Sequence, residues 1–209
     1  MYLGDEFVFS PEDTVVEQCL SYAREKALFN DHYRKKRRAN PEKMEAQDAY
    51  SKYAEFAVKD FIGDLGFKFD VDTKIYKPSE KSWDADLGKN ISVKSTSLQM
   101  CGFISRNTNG ESKESWTVQY QDEDGIGGKD RIFTLNEEDQ KKEYFVFATV
   151  EHENIKPGTK VWIRGFWKLN RLHTQGMFKD PIADYLKGIK KNIYDGDMKK
   201  VQAKYRGKA

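Results

Sequence analysis

WDADLGKNISVKSTS, from Trp83 to Ser97, decides how this chain is read. Two short runs of alternating apolar and polar residues flank Gly88-Lys89-Asn90, the pattern of a β-hairpin. With a turn over these three residues, Leu87 pairs with Ile91, Asp86 with Ser92 and Asp84 with Lys94. Side chains alternate along a strand. Asp84, Asp86, Ser92 and Lys94 then share one face. Trp83, Ala85, Leu87, Ile91 and Val93 share the other, which is suited to pack on a helix. A two-residue turn would shift the register and break up the polar face.

Two carboxylates held close together need a compensating cation. Lys94 is one. A hard divalent ion, Mg²⁺ or Mn²⁺, is another, because such ions take carboxylate and carbonyl oxygens as ligands. A lysine at such a place can orient an attacking water or neutralise charge on a phosphate. The plainer reading is a cross-strand ion pair on an exposed sheet face, worth at most about 1 kcal/mol.

Outward from the hairpin, the chain reads as two helices followed by strands. Ser10-Pro11-Glu12-Asp13 is an expected helix start, with Ser10 as N-cap. Val15, Val16, Cys19, Leu20, Tyr22, Ala23 and Ala27 form its apolar stripe, and it runs toward Arg34-Lys35-Lys36-Arg37-Arg38. Asn40-Pro41-Glu42 starts a second helix. Its stripe is Tyr50, Tyr53, Ala54, Ala57, Val58, Phe61, Ile62 and Leu65, and Gly66 ends it. FKFDVDTKIYKP (Phe67 to Pro78), SWTVQYQ, RIFTL, EYFVFATVEH and KVWIRGFWKL read as further strands. The tail from Pro181 reads as helical. The fold class is α/β (α+β), a central mixed sheet flanked by helices with an N-terminal helical extension. The divisions are a basic helical segment over 1–40, a core over 41–180 and a basic helical tail over 181–209.

Composition narrows the setting. The chain has 209 residues, with 36 Lys and Arg against 34 Asp and Glu, for a net charge of +2. Bulk charge does not announce nucleic acid; the basic runs near both ends would suit a polyanion, while their plainer reading is a solvated helix face and a solvated tail. No apolar run approaches the roughly 18 residues of a membrane span. MYLGDEFVFSPED lacks the basic and apolar regions of a signal peptide. Cys19 and Cys101 have no zinc-ligand spacing. A cytoplasmic, reducing environment is expected. GIGGK, Gly125 to Lys129, lacks the spacing of a phosphate loop. His32, His152 and His173 are scattered, and Trp162, Phe166 and Trp167 read as core packing.

An acidic residue on one strand, a tight turn and Val93-Lys94 on the next resemble the PD-(D/E)XK nuclease family, which has the restriction-endonuclease-like fold. The resemblance covers Tyr50 to about Tyr120. It implies Asp86 as the main metal ligand, the Val93 carbonyl as a second, Lys94 as the catalytic lysine, and Asp84 as a further ligand or a charge behind the ligands. It also implies a glutamate from the preceding helix, here Glu55, and a polar residue on a later strand, here Gln119. Two departures stand out. No proline precedes the aspartate, and Ser92 occupies the usual acid position two residues before the lysine. The family includes a Ser-x-Lys variant in which a helix glutamate fills that place. Glu55 is the candidate here, ahead of Glu111 and Glu114 in a polar loop.

The implied function is a Mg²⁺- or Mn²⁺-dependent endonuclease that hydrolyses DNA phosphodiesters, of phage or bacterial type. Arg34, Lys35, Lys36, Arg37, Arg38, Lys190 and Lys191 would contact phosphates. Duplex cutting by this fold often involves a homodimer. Two alternatives stay open: a DNA-binding protein of the same fold with a silenced site, and a protein-interaction or inhibitor module using the acidic loop Asp122 to Asp130.

Overall fold

A computed structural model describes residues 7–29, 40–76, 87–88, 90–99, 115–119, 142–180, 190–194 and 197–198. In chain order the elements are β1 (Val8–Phe9), α1 (Asp13–Phe29), α2 (Pro41–Asp64), β2 (Ile91–Ser97), β3 (Ser115–Gln119), β4 (Tyr144–Val150), β5 (Val161–Lys168), α3 (Leu169–Thr174) and β6 (Lys190–Tyr194).

The start of α2 is the one read from the sequence. Asn40 stays extended, and its side chain accepts the Glu42 N–H at 2.9 Å, while Pro41 opens the first turn. Its end is equally local. Gly66, at φ 88°, donates to the Gly63 carbonyl at 2.8 Å, and Phe67 donates to Ile62 at 3.2 Å. These two bonds satisfy the last carbonyls as a Schellman motif. The start of α1 differs from expectation. The helix begins at Asp13, where Val15 donates to the Glu12 carbonyl at 2.9 Å. Ser10 is not its cap, because the Ser10 hydroxyl lies 3.5 Å from the Thr159 carbonyl and donates across the fold instead.

Four strands form one mixed sheet in the order β1-β5-β4-β2. β2 and β4 run parallel, from Ile91↔Tyr144 to Ser97↔Val150, and the other pairs are antiparallel. Val71↔Leu87 and Leu87↔Ile91 bridges continue the pairing beyond β2. The strand expected over Phe67 to Pro78 is reduced to the Val71 bridge among the described residues. Just after it, the Asp72 carboxylate accepts the Lys74 N–H at 2.9 Å, an Asx turn that competes with strand pairing.

β3 and β6 form a separate antiparallel pair, from Ser115↔Tyr194 to Gln119↔Lys190. This corrects the helical reading of the tail at Lys190–Tyr194. The segment gains a full ladder from β3, and Ile193 is fully buried.

The sheet has an apolar cluster on each face. On one face, Ile91, Val93, Val146, Ala148, Val150, Val161 and Ile163 meet α1 and α2. Ala23 and Cys19 on α1, with Ala49, Ala54 and Ala57 on α2, are small enough for the helices to approach closely. α1 therefore shares the main core, and β1 pairs into the sheet. On the other face, Phe145, Phe147 and Trp167 meet Leu172, Met177, Ile193 and Met198. Among the described residues no helix is long and apolar enough to cross a membrane.

Candidate active site

The hairpin register is the first element of the site. Leu87 and Ile91 bridge across the turn, with the Leu87 N–H donating to the Ile91 carbonyl at 3.4 Å. Gly88 sits at φ 56°, the left-handed conformation that glycine adopts without penalty. The Asn90 carbonyl accepts N–H groups from Glu143 at 2.9 Å and Tyr144 at 3.0 Å, which fixes the turn to the start of β4. Leu87, Ile91 and Val93 are buried in the helix-side cluster, as the alternation requires. Ser92 and Lys94 therefore belong to the opposite face. Ser92 is 3% exposed, and the Lys94 ammonium lies 5.7 Å from the centroid of the Phe145 ring. That is within cation–π range. Asp84 and Asp86 lie outside the described residues.

Gly88 offers a direct test of the turn. A Cβ there would stand 2.8 Å from Phe69 Cδ1 and 3.1 Å from Cε1. Gly88→Ala combines that overlap with a left-handed backbone cost of about 1–2 kcal/mol. Urea unfolding of the variant should show at least that loss. An unchanged midpoint would mean that the turn is not built this way.

Glu55 is the second element. It lies on α2, 7% exposed, and accepts a 2.6 Å hydrogen bond at Oε2 from Lys52, which is 6% exposed. The same ammonium donates to the Asp72 carbonyl at 2.6 Å and lies 4.7 Å from the Tyr22 ring centroid. Asp72 follows Val71, whose bridge reaches Leu87, so this ion pair stands beside the hairpin end of the sheet. Lys52 was missed in the sequence, although its spacing three before Glu55 places both on one helix face. Burial pushes the Cys19 thiol up to about 12; the nearby Glu55 charge adds to this and the Lys52 charge opposes it. Cys19 therefore stays a thiol at neutral pH, which makes it a poor nucleophile.

Glu55 is on α2, whereas Lys94 is on the face of β2 away from α2, and the remaining candidates are dispersed as well. Gln119 ends β3, opposite Lys190 on β6, in the separate two-stranded sheet. The strand that flanks β2 in the main sheet is β4. Lys191 is salt-bridged to Asp180. Arg34, Lys35, Lys36, Arg37 and Arg38 lie outside the described residues, as do Glu111, Glu114, Cys101, the strand read at RIFTL and the loop Asp122 to Asp130. Trp167 is buried, and Phe166 stacks on Tyr144 with ring centroids 5.1 Å apart, both consistent with packing. Arg164, at a bulge in β5, lies 5.5 Å from the Trp162 ring. Among the described residues no group of three or more His, Cys, Asp or Glu is placed to hold a metal ion.

No protein-family model matches this chain, and neither a curated protein nor a solved structure matches it.

Proposed function

We propose that this chain is a metal-dependent DNA endonuclease with a restriction-endonuclease-like core. The observation that carries the reading is the Leu87–Ile91 pairing around Gly88. Ser92 and Lys94 share a face as alternate residues of β2. Continued through the sequence, the same register would set Asp86 opposite Ser92 and Asp84 opposite Lys94. The parallel β2–β4 pair with α2 packed behind it supports a core of this kind.

The residues of this reading, Asp86, Asp84, Glu55 and the Val93 carbonyl, offer only oxygen donors, which suit a hard divalent ion; Glu55, on α2, would have to reach it from the face of β2 opposite Lys94. Such an ion, when bound, supplies positive charge against the reacting phosphate and acidifies water. Lys94 orients the nucleophile and balances developing phosphate charge. Gln119 would help to orient water or backbone. Arg34 to Arg38, with Lys190 and Lys191, would contact phosphates outside the cleavage point, so affinity falls with salt. DNA, Mg²⁺ or Mn²⁺, a homodimer on duplex substrates and a cytoplasmic setting belong to this reading.

One observation favours a second reading, a silenced DNA binder of the same fold. Glu55, the substitute for the acid missing at Ser92, is already ion-paired to Lys52.

Incubation with supercoiled plasmid separates the two. Nicking or linearisation in Mg²⁺ or Mn²⁺, lost in EDTA, is the outcome expected of the nuclease. A salt-sensitive gel shift without cutting under either metal would transfer the assignment to the binder. Neither cutting nor a shift would remove both and leave the protein-interaction module.

A further inference from the structure

We propose that the groove at the C-terminal end of α2 is a docking site for an arginine side chain carried by a polypeptide partner. The inference stands apart from the nuclease reading and uses none of its residues. The groove has a volume of about 470 Å³. Asp60, Gly63 and Asp64 line it from α2; Phe67, Phe69 and Asp70 line it from the segment that follows.

Gly63 is the first sign of a ligand. Glycine is a poor helix residue because it loses the most backbone freedom on ordering. The usual reasons for keeping one are missing here. Its φ is not in the left-handed region, and a Cβ at this position would meet nothing within 4 Å. Neither the backbone nor the packing of the chain requires glycine at 63. Its effect is to open the floor of the groove down to the helix backbone.

Charge is the second sign. Asp60 and Asp64 lie one helical turn apart, so their carboxylates share a face and repel. They also stand near the negative end of the helix dipole, and the last turn of α2 has no basic residue. Lys59 is paired instead with Asp70, at 3.9 Å. Neither Asp60 nor Asp64 has an ion-pair partner among the described residues. Partial desolvation raises the Asp60 carboxyl above its ordinary value; Lys59 opposes this, and Asp64 and Glu12 add to it. A cation seated between Asp60 and Asp64 relieves all of these costs.

The apolar part of the groove selects among cations. Phe67 is 60% exposed, and Phe69 is partly buried against the main core. A guanidinium is planar, stacks on an aromatic face and meets carboxylates through a fork of N–H donors, whereas an ammonium is a compact point charge. Asp60, Gly63, Asp64 and Phe67 are all exposed, so an incoming side chain can stay attached to a backbone outside the groove.

The test is an NMR titration of the full chain with the peptide acetyl-Gly-Arg-Gly-amide, beside the same peptide carrying lysine or citrulline at its centre. With the arginine peptide, amide shifts should gather at Gly63, Asp64 and Phe67. The lysine and citrulline peptides should bind about 10-fold more weakly. Asp64→Asn should weaken the arginine peptide about 10-fold, and Phe67→Ala about 2- to 5-fold. Gly63→Leu should abolish binding by filling the floor, and should leave the melting temperature unchanged or higher, since leucine favours the helix.

Equal binding of the lysine peptide would overturn the inference in favour of plain charge attraction. Shifts that gather elsewhere, or that survive Gly63→Leu, would overturn it as well. Should Gly63→Leu fail to fold, Asp64→Asn decides, and unchanged affinity there overturns the inference. Free arginine that bound more tightly than the peptide would assign the groove to a small molecule and overturn the polypeptide source. A concentration-dependent dimer lost in Gly63→Leu would assign it to a second copy of this chain instead. No shift with any peptide overturns the inference and leaves the nuclease reading standing.

Discussion

Lys94→Ala is expected to lower plasmid cleavage by about 10²–10⁴-fold, the range for losing a group that transfers a proton or stabilises transition-state charge. DNA binding should persist, because affinity is spread over many phosphate contacts. Stability should change little. Lys94 is half-buried on the face away from α2, and one of its contacts is with the Phe145 ring at 5.7 Å. Such a contact is worth about 0.5–1 kcal/mol. The variant therefore separates chemistry from folding: a nearly unchanged urea midpoint with cleavage lost. Lys94→Arg should be almost as inactive, since a planar guanidinium does not replace a compact ammonium at a reacting phosphate. Cleavage by Lys94→Ala at the wild-type rate would remove Lys94 from the site and, with it, the assignment built on the hairpin.

The parts of the fold that were legible in the sequence are those set by neighbours a few residues apart. Asn40-Pro41-Glu42 and Gly66 bound α2 because a cap and a left-handed stop act within one turn. The β4 and β5 strands show as apolar runs because both of their faces are covered. The Leu87–Ile91 register follows from turn length and alternation alone. What was not legible depends on distant partners. Ser10 has every local mark of an N-cap, yet its hydroxyl turns to Thr159, far along the chain. Nothing in Lys190–Tyr194 itself forbids a helix, and its pairing with β3 makes it a strand. Gln119 could be placed on a strand, but not in which sheet. Lys52 drew no notice in the sequence. Its importance comes from Tyr22 and Asp72, which the fold brings to it from either side.

The Lys52–Glu55 pair should show the largest stability effects in the protein. Lys52→Met leaves a buried carboxylate without its ammonium, and Glu55→Leu leaves a buried ammonium without its carboxylate. Each single change should cost about 3–5 kcal/mol, because an uncompensated charge remains where water is excluded. Against a total stability of roughly 5–15 kcal/mol, that is a large share. The double variant Lys52→Met/Glu55→Leu removes both charges and keeps apolar volume in both places. Its urea midpoint should return close to wild type, since desolvating a buried pair offsets most of its attraction. The singles and the double thus form a cycle with strong coupling. Additive losses would mean that the two charges are not a buried pair. A double variant that is stable, binds DNA and does not cut would separate the pair's two effects: the fold can do without it, while cleavage cannot. A stable double variant that cuts as the wild type does would remove Glu55 from the site.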